Sequence, residues 1–261
     1  MAKERNARWL DRPLSARSTI ASFLLGTHPP RMRAAGLVRV CGALGIAEGT
    51  TRVALSRMVD RGELRLAAGT YELVGRVRDR QRTQDWSLTP RTDPWDGTWR
   101  LAVVRPTARA AGERRALRGA LRRLRLAELR EGCWTRPDNL PGEAAPADAR
   151  AAAEHGCTLW AGRPDDDAET LASRLFDHAG WSARAATLAD ALASTTRTLA
   201  TSDGTLAQPF ALGAAALAHV RADPLLPAAL VADTTSGAAL RAEYARYQGA
   251  FADAVRRLPS R

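Results

Sequence analysis

The 261-residue sequence predicts an α+β chain made of an N-terminal winged helix-turn-helix, a ferredoxin-like middle domain and an α-helical C-terminal domain. Three observations lead to this prediction. Three helical segments, with a tight turn before the third, precede two short alternating segments around a glycine. Apolar, β-branched segments then alternate with an amphipathic helix. From Trp181 onward the pattern is helical and rich in alanine.

The N-terminal part has the element order of a winged helix. Residues 1–13 are charged and are predicted to form a mobile arm. Gly45 permits the tight turn before the third helix, and Gly69 permits the turn of a hairpin. The predicted helices cover about residues 15–27, 34–44 and 49–61, and the predicted strands of the hairpin cover 63–66 and 70–73.

The third helix has an outward face suited to the DNA major groove. Its arginine can bind guanine, its hydroxyl groups can bind bases or phosphates, and its valine can contact a thymine methyl group. A helical wheel directs Thr51 inward, and Thr51 is nevertheless included among the predicted contacts. The predicted DNA contacts are Thr50, Thr51, Arg52, Val53, Ser56 and Arg57 on the helix and Arg65 in the hairpin.

Positive charge is concentrated in the first half of the chain. Residues 1–82 carry 16 Lys/Arg against 7 Asp/Glu, residues 83–135 carry 11 against 6, and residues 136–261 carry 12 against 15. Such a gradient favours a polyanion-binding front half. The arginine-rich stretch at 75–86 is either a solvated connector helix or a phosphate-contacting one, and the segment from Thr89 to Pro94 is a linker.

The middle part alternates strands and helices. Its predicted strands cover 99–104, 128–135 and 157–161, and its predicted helices cover 113–126 and 168–178, with a Pro/Gly loop at 137–146. This order is close to a ferredoxin-like unit, although the pattern does not identify a closing strand.

The last part is predicted to be helical throughout. The helices cover about 183–200, 206–221 and 236–257, so the predicted domains span residues 1–88, 89–180 and 181–261. An apolar stripe on the last helix either packs on its own domain or forms part of a dimer interface. Its members are Leu240, Tyr244, Tyr247 and Phe251.

Few residues are suited to catalysis or to metal binding. The chain has no G-x-S-x-G segment, no phosphate-binding loop with Lys and Ser/Thr, and no paired histidine spacing. We therefore expect no catalytic residues, no metal and no cofactor. Three widely spaced cysteines predict no disulfide framework and a cytoplasmic protein. The charged N-terminal stretch is unlike a signal peptide, and the longest apolar run, 211–220, is too short to cross a membrane.

Five segments, in their order along the chain, are similar to one known family. They are ARSTIASFLLGTHPPR (16–31), GIAEGTTRVALSRMVDRGEL (45–64), PWDGTWRLAVV (94–104), EGCWTRPDNL (131–140) and, in outline, LAHVRADPLLP (217–227). Together they resemble the PaaX-type transcriptional regulators, named for the phenylacetic acid degradation repressor. The resemblance implies a winged-helix front, a ferredoxin-like middle related to CRISPR-associated nuclease subunits, and a helical tail. It also implies homodimers on palindromic operators, which phenylacetyl-CoA releases in the founding member.

The resemblance and the residues together predict a small-molecule effector. The 173 residues that follow the predicted DNA-binding domain (1–88) are more than a DNA-binding device alone needs. An aromatic floor with cationic donors would suit an aryl carboxylate or its CoA thioester. The candidate residues are Trp95, Trp99, Arg130, Trp134, Arg136, His219 and Arg221.

We therefore expect a cytoplasmic, homodimeric regulator that binds double-stranded operator DNA, most simply as a repressor released by that effector. The alternative is a nucleic-acid-processing enzyme that uses the middle domain. Such a nuclease needs a carboxylate after its first strand, and this strand ends in Val103 and Val104 followed by Arg105 and Pro106. A winged helix that docks on protein would leave the arginines unused, and its binding would lack the steep salt dependence of phosphate contacts.

Overall fold

The structure is a computed structural model that describes residues 14–106, 109–142, 145–199 and 205–259. The predicted arm at 1–13 lies outside these residues. The chain divides into two compact units. The first contains residues 1–82, 186–218 and 239–261, and the second contains 83–185 and 219–238. The domain boundaries at residues 88 and 180 stay a prediction.

The first unit contains the winged helix that the sequence predicts. Its elements are α1 (Ala16–Leu25), β1 (Arg31–Arg33), α2 (Ala34–Ala43), α3 (Glu48–Asp60), β2 (Leu64–Ala67) and β3 (Thr70–Leu73). The strands form an antiparallel sheet in the order β1-β3-β2. The three-residue strand β1 was not predicted, because it is too short to show alternation.

The three helices are fixed by one apolar core. Ile20 and Leu24 of α1, Leu37 of α2 and Leu55 of α3 are fully or almost fully buried in it. Gly45 has φ +81°, a conformation that favours glycine, and it permits the turn between α2 and α3. Burial of these four side chains stabilises the unit by about 1.5–3 kcal/mol each, and it sets which face of α3 points outward.

The connector stretch is helical, as α4 (Gly75–Leu88). Within the first unit, Val77 and Gln81 are buried. The Gln81 side-chain amide donates to the backbone oxygens of Leu25 and Thr27, at 3.1 and 2.9 Å. These bonds tie the middle of α4 to the end of α1 and to the turn that follows it.

The second unit contains a complete ferredoxin-like βαββαβ arrangement. Its elements are β4 (Trp99–Val104), α5 (Ala111–Arg123), β5 (Ala127–Arg130), β6 (Cys133–Pro137), α6 (Ala147–Gly156) and β7 (Cys157–Gly162). The strand order is β5-β6-β4-β7, and every pair is antiparallel.

The structure differs from the prediction for this unit in three details. The single strand predicted at 128–135 is the pair β5 and β6, which a turn at Glu131 and Gly132 separates. The strand at 157–162 is the closing strand that the sequence pattern did not identify. Helix α6 was missed because its inward residues, Ala149, Ala153 and Gly156, are too small to give an apolar periodicity.

The remaining helices are α7 (Ala168–Leu175), α8 (His178–Leu199), α9 (Ala207–Arg221) and α10 (Ser236–Arg257), close to the predicted ranges. The apolar stripe of α10 is buried within the first unit. The Tyr247 hydroxyl donates to the Pro209 oxygen at 2.8 Å, and the rings of Phe251 and Phe210 are 6.1 Å apart. Its suggested role in a dimer interface was therefore wrong, because α9 already covers it. Among the described helices, none is long and apolar enough to cross a membrane.

Candidate nucleic-acid interface

Helix α3 presents the outward face that the wheel predicts. Its DNA-facing candidates Thr50, Arg52, Val53, Ser56 and Arg57 are all exposed, and Val53 keeps 51% of its surface accessible. The apolar side chain of Val53 is exposed on a basic surface, so it can be buried by an apolar group of a ligand.

Thr51 is a correction to the predicted contacts. It is fully buried, and its hydroxyl donates to the Ala47 oxygen at 3.1 Å, inside the first turn of α3. A side chain in that position cannot touch DNA. The wheel placed Thr51 on the inward side, and burial agrees with the wheel.

The two arginines of this face differ in their environments. The Arg52 guanidinium lies 2.7 Å from a carboxylate oxygen of Glu48, one helical turn earlier, and both side chains are largely exposed. Arg57 forms no ion pair with any residue that the structure describes. Its charge is therefore the less compensated of the two, and it stands one turn after Val53.

A concave surface of about 470 Å³ lies against this face. Arginines and the apolar residues Val53, Ala54 and Met58 all contribute to its lining. The full lining is Arg17, Gly49, Thr50, Val53, Ala54, Arg57, Met58 and Arg61. Such a surface can hold the methyl group or edge of a base while its arginines contact phosphates.

Arg17 and Arg61 were missing from the sequence prediction. Arg17 comes from α1 and donates three hydrogen bonds to Glu63, from Nε to Oε1 at 3.2 Å and to Oε2 at 2.9 Å and from Nη2 to Oε1 at 2.6 Å. The hydrogen bond from Arg17 is the main reason why the pKa of Glu63 is lowered. A wheel drawn for α1 would have placed Arg17 outward, but only the folded structure puts it beside α3.

The hairpin presents Arg65 in a paired state. Arg65 and Glu72 are partners across β2 and β3, and Arg65 Nη2 lies 2.7 Å from Glu72 Oε2. This bond is the main cause of the lowered pKa of Glu72. Arg65 remains exposed, and so do Arg31 and Arg33 on the neighbouring strand β1. The hairpin is thus basic at its edge, with one of its charges compensated.

The predicted effector residues do not form one site. Trp134 is buried against Leu121 with Arg122 over its ring at 5.7 Å. Trp99 is buried in another cluster, against Leu171. Trp134 lies opposite Ala102, which is three residues after Trp99 on β4. Because successive residues of a strand point to opposite faces, the two tryptophans lie on opposite faces of the sheet. Trp95 does contact Trp99, edge to face, at 6.5 Å.

The cationic members of that set are also dispersed. Arg136 is buried, and burial lowers its pKa to about 9. Its guanidinium donates to Asn139 Oδ1 at 2.7 Å and to the oxygens of Pro137, Pro224 and Leu225, so it fastens β6 to the 224–225 segment. Its role here is structural.

His219, Arg130 and Arg221 have separate surroundings. The His219 ring stacks on Trp181 at 5.0 Å, whereas Arg130 lies exposed at the end of β5. Arg221 is exposed, and its backbone oxygen accepts from Arg125. A second concave surface, of about 730 Å³, is lined instead by Pro90, Arg91, Thr92, Asp93, Pro141 and Gly142.

Within the described residues, no group of three or more His, Cys, Asp or Glu side chains is arranged to hold a metal ion. The three cysteines are free and buried. Strand β4 ends at Val104 and leads into Arg105 and Pro106, so the position where a nuclease would need a carboxylate carries a cation.

Comparisons with known proteins give matches to two family models and to solved structures. Residues 15–77 match the family described as PaaX-like protein, and residues 92–172 match the PaaX protein central Cas2-like domain. The chain is also similar to the solved structure of the uncharacterized protein Rv0674 from Mycobacterium tuberculosis. The two are 36% identical over 93% of this chain and 97% of that chain, with a TM-score of 0.69. No curated protein matches the sequence.

Proposed function

The chain belongs to the PaaX-like family, and from this premise we propose that it is a sequence-specific DNA-binding transcriptional regulator. It acts in the cytoplasm on double-stranded operator DNA. The main supporting observation is the exposed face of α3 in the winged helix. It presents Val53 beside Arg57, which has no ion-pair partner among the described residues.

The face of α3 suits the major groove in both shape and chemistry. The groove is about 12 Å wide and admits one helix. Arg57 can bond to guanine O6 and N7, Val53 can contact a thymine methyl group, and Thr50 and Ser56 can donate to bases or phosphates. Arg52 can exchange Glu48 for a phosphate, because an exposed pair of this spacing is worth only about 0.3–0.5 kcal/mol.

We further propose a homodimer on a palindromic operator. A single winged helix presents too few base contacts for operator affinity, and a two-fold protein recognises half-sites about one helical turn apart. The α10 stripe is buried, so the interface lies elsewhere. Light scattering should give twice the chain mass. A stable monomer that protects a single half-site would refute the dimer.

We propose that the protein is a repressor, released by an organic acid or an aryl- or acyl-CoA thioester. To empty a nearly full operator, the effector must favour the non-binding state by about 5 kcal/mol. Operator DNA must then weaken effector binding by the same factor.

The effector is testable without knowing its site. Acyl-CoA thioesters and aromatic acids are screened by thermal shift, and each hit is added to a gel-shift assay. A hit that lowers operator affinity supports the proposal. If compounds bind and operator affinity never changes, the effector role is wrong.

DNA recognition itself is tested by selection from a random duplex library with the full chain. The proposal expects a two-fold motif that is enriched over successive rounds. Enrichment of no motif would refute sequence-specific binding.

The alternative function is nucleic-acid processing by the middle domain, and the match of residues 92–172 to a Cas2-like domain is the observation in its favour. The end of β4 carries Arg105 where such an enzyme would need a carboxylate to hold a metal ion. Incubation of the full chain with labelled DNA and RNA in Mg²⁺ or Mn²⁺ separates the two functions, since a regulator leaves both uncut.

A further inference from the structure

A second basic surface lies outside the winged helix, on the ferredoxin-like part of the second unit. Residues 105–125 contain eight arginines and a single acid, Glu113. Glu113 is already engaged, because its carboxylate accepts from the backbone amide of Ala110 at the start of α5. The segment is therefore strongly cationic. Like charges on one helix destabilise that helix, so we looked for a function that these arginines serve.

The arginines of α5 form a stripe. The helix buries Leu117, Ala120 and Leu121 against the sheet. At about 100° per residue, four arginines fall within about a 100° sector on the solvent side. We call this set the α5 stripe, and its members are Arg114, Arg115, Arg118 and Arg122, all exposed.

Little of the stripe's charge is neutralised. Arg115 has no partner among the described residues, and Arg114 donates to the Arg109 oxygen, which leaves its charge intact. Arg118 alone of the four reaches a carboxylate in the described residues, Glu128 at 3.3 Å. Arg122 is held over the Trp134 ring at 5.7 Å. The stripe thus presents several pre-positioned cations to solvent.

We propose that the α5 stripe binds the phosphate backbone of duplex DNA, as a contact separate from the recognition helix. From Arg114 to Arg122 the stripe rises about 12 Å, at about 1.5 Å per residue. Phosphates on one strand rise about 3.4 Å per nucleotide, so three or four successive phosphates match its length. Arginine is suited to this role because its planar guanidinium binds phosphate with two donors.

The choice of duplex DNA as the polyanion rests on the proposed function. The stripe consists of arginines alone, and it carries no exposed aromatic ring on which an unpaired base could stack, as single-stranded nucleic acid requires. A contact of this kind adds affinity without sequence preference. It would therefore raise the affinity for duplex DNA of any sequence.

The test uses the full chain with Arg114, Arg115 and Arg118 each changed to Gln, which keeps helix propensity high. The matched control changes three other exposed arginines of the second unit, Arg91, Arg174 and Arg184, to Gln. Fluorescence anisotropy measures affinity for a random-sequence duplex of about 40 base pairs as salt is varied. Thermal unfolding verifies that both variants fold, and Arg115→Gln alone is the fallback variant, since it breaks no described contact.

Each phosphate contact contributes about 0.9 to the slope of log affinity against log salt. The stripe variant should lose about 2 to 3 from this slope and bind about 10- to 100-fold more weakly at about 150 mM salt. Arg115→Gln should lose about 1, and the control should match the wild type. A stripe variant that matches its control would overturn the proposal. So would a loss confined to single-stranded RNA, which would assign the stripe to a different partner.

Failure of the proposed function gives a different result. Arg57→Ala changes sequence preference and tests the recognition helix, whereas the stripe variant changes the salt slope on all sequences alike. If the salt slope of the stripe variant is normal while the operator motif is still selected, only the stripe proposal fails.

Discussion

Arg57 and Arg52 lie on the same exposed face of α3, but changing each to Ala should affect DNA binding in a different way. Arg57 has no ion-pair partner among the described residues. It follows Val53 by one helical turn, and both residues line the same concave surface. Arg52 is tethered to Glu48 at 2.7 Å. We therefore expect Arg57 to bind a base and Arg52 to bind a phosphate.

The magnitudes differ accordingly. Loss of a bidentate contact to guanine costs about 1–3 kcal/mol, which is about 5- to 160-fold in affinity, and only on duplexes that carry that guanine. Arg52→Ala removes one phosphate contact, so it should weaken binding to all sequences alike and lower the salt slope by about 1. Breaking its pair with Glu48 changes helix stability by only about 0.3–0.5 kcal/mol.

The assay is anisotropy with the selected operator and with single-base variants of it. Arg57→Ala should bind one base variant and the operator equally well, because the contact that distinguished them is gone. If Arg57→Ala instead loses the same factor on every duplex, or loses nothing, then Arg57 does not recognise a base and the assignment of this face is refuted.

Three further predictions follow from other contacts. Replacing one operator thymine by deoxyuracil should weaken wild-type binding about 4-fold, since a lost methyl contact costs about 0.8 kcal/mol. The affinity of Val53→Ala should not change with that replacement. Equal sensitivity of the two proteins would exclude the valine contact. The pKa of Glu63 is lowered by Arg17, so its stabilisation is present above the unfolded carboxyl pKa of about 4.3 and is lost as pH falls through the lower folded value. Glu63→Gln should therefore lower the free energy of unfolding by urea near pH 7 and match the wild type in strong acid; a difference that does not vary with pH would contradict this. Asn139→Ala should destabilise the protein by about 1–3 kcal/mol in the same assay. The reason is that the buried Asn139 side chain accepts a hydrogen bond from Arg136 and donates one to the Leu225 oxygen. An unchanged unfolding midpoint would show that these two hydrogen bonds do not contribute to stability.

Much of the fold was predictable because long elements carry strong periodicity. The helices of the winged helix and of the tail appear in the structure close to their predicted ranges. Short or alanine-rich elements were not predicted. The strand β1 has three residues, and α6 packs through alanines and through Gly156, where an added Cβ would lie 2.8 Å from a Leu117 methyl. Neither gives an apolar pattern to detect.

The candidate interface was predictable only where one helix determines it. Rotation about α3 places Val53 and Arg57 outward without any knowledge of the fold. The pairing of Arg65 with Glu72 depends on strand register, and the approach of Arg17 to α3 depends on tertiary packing. For the same reason the sequence could not show that Trp99 and Trp134 lie on opposite faces of one sheet.

Methylation interference at guanine N7 tests the central claim most directly, since this atom lies in the major groove. The wild-type chain and Arg57→Ala are compared on the operator selected by the wild type. We predict interference at several guanines with the wild type, and the loss of interference at one guanine per half-site with Arg57→Ala. An identical interference pattern for both proteins, or protection confined to the minor groove, would contradict recognition of DNA by α3.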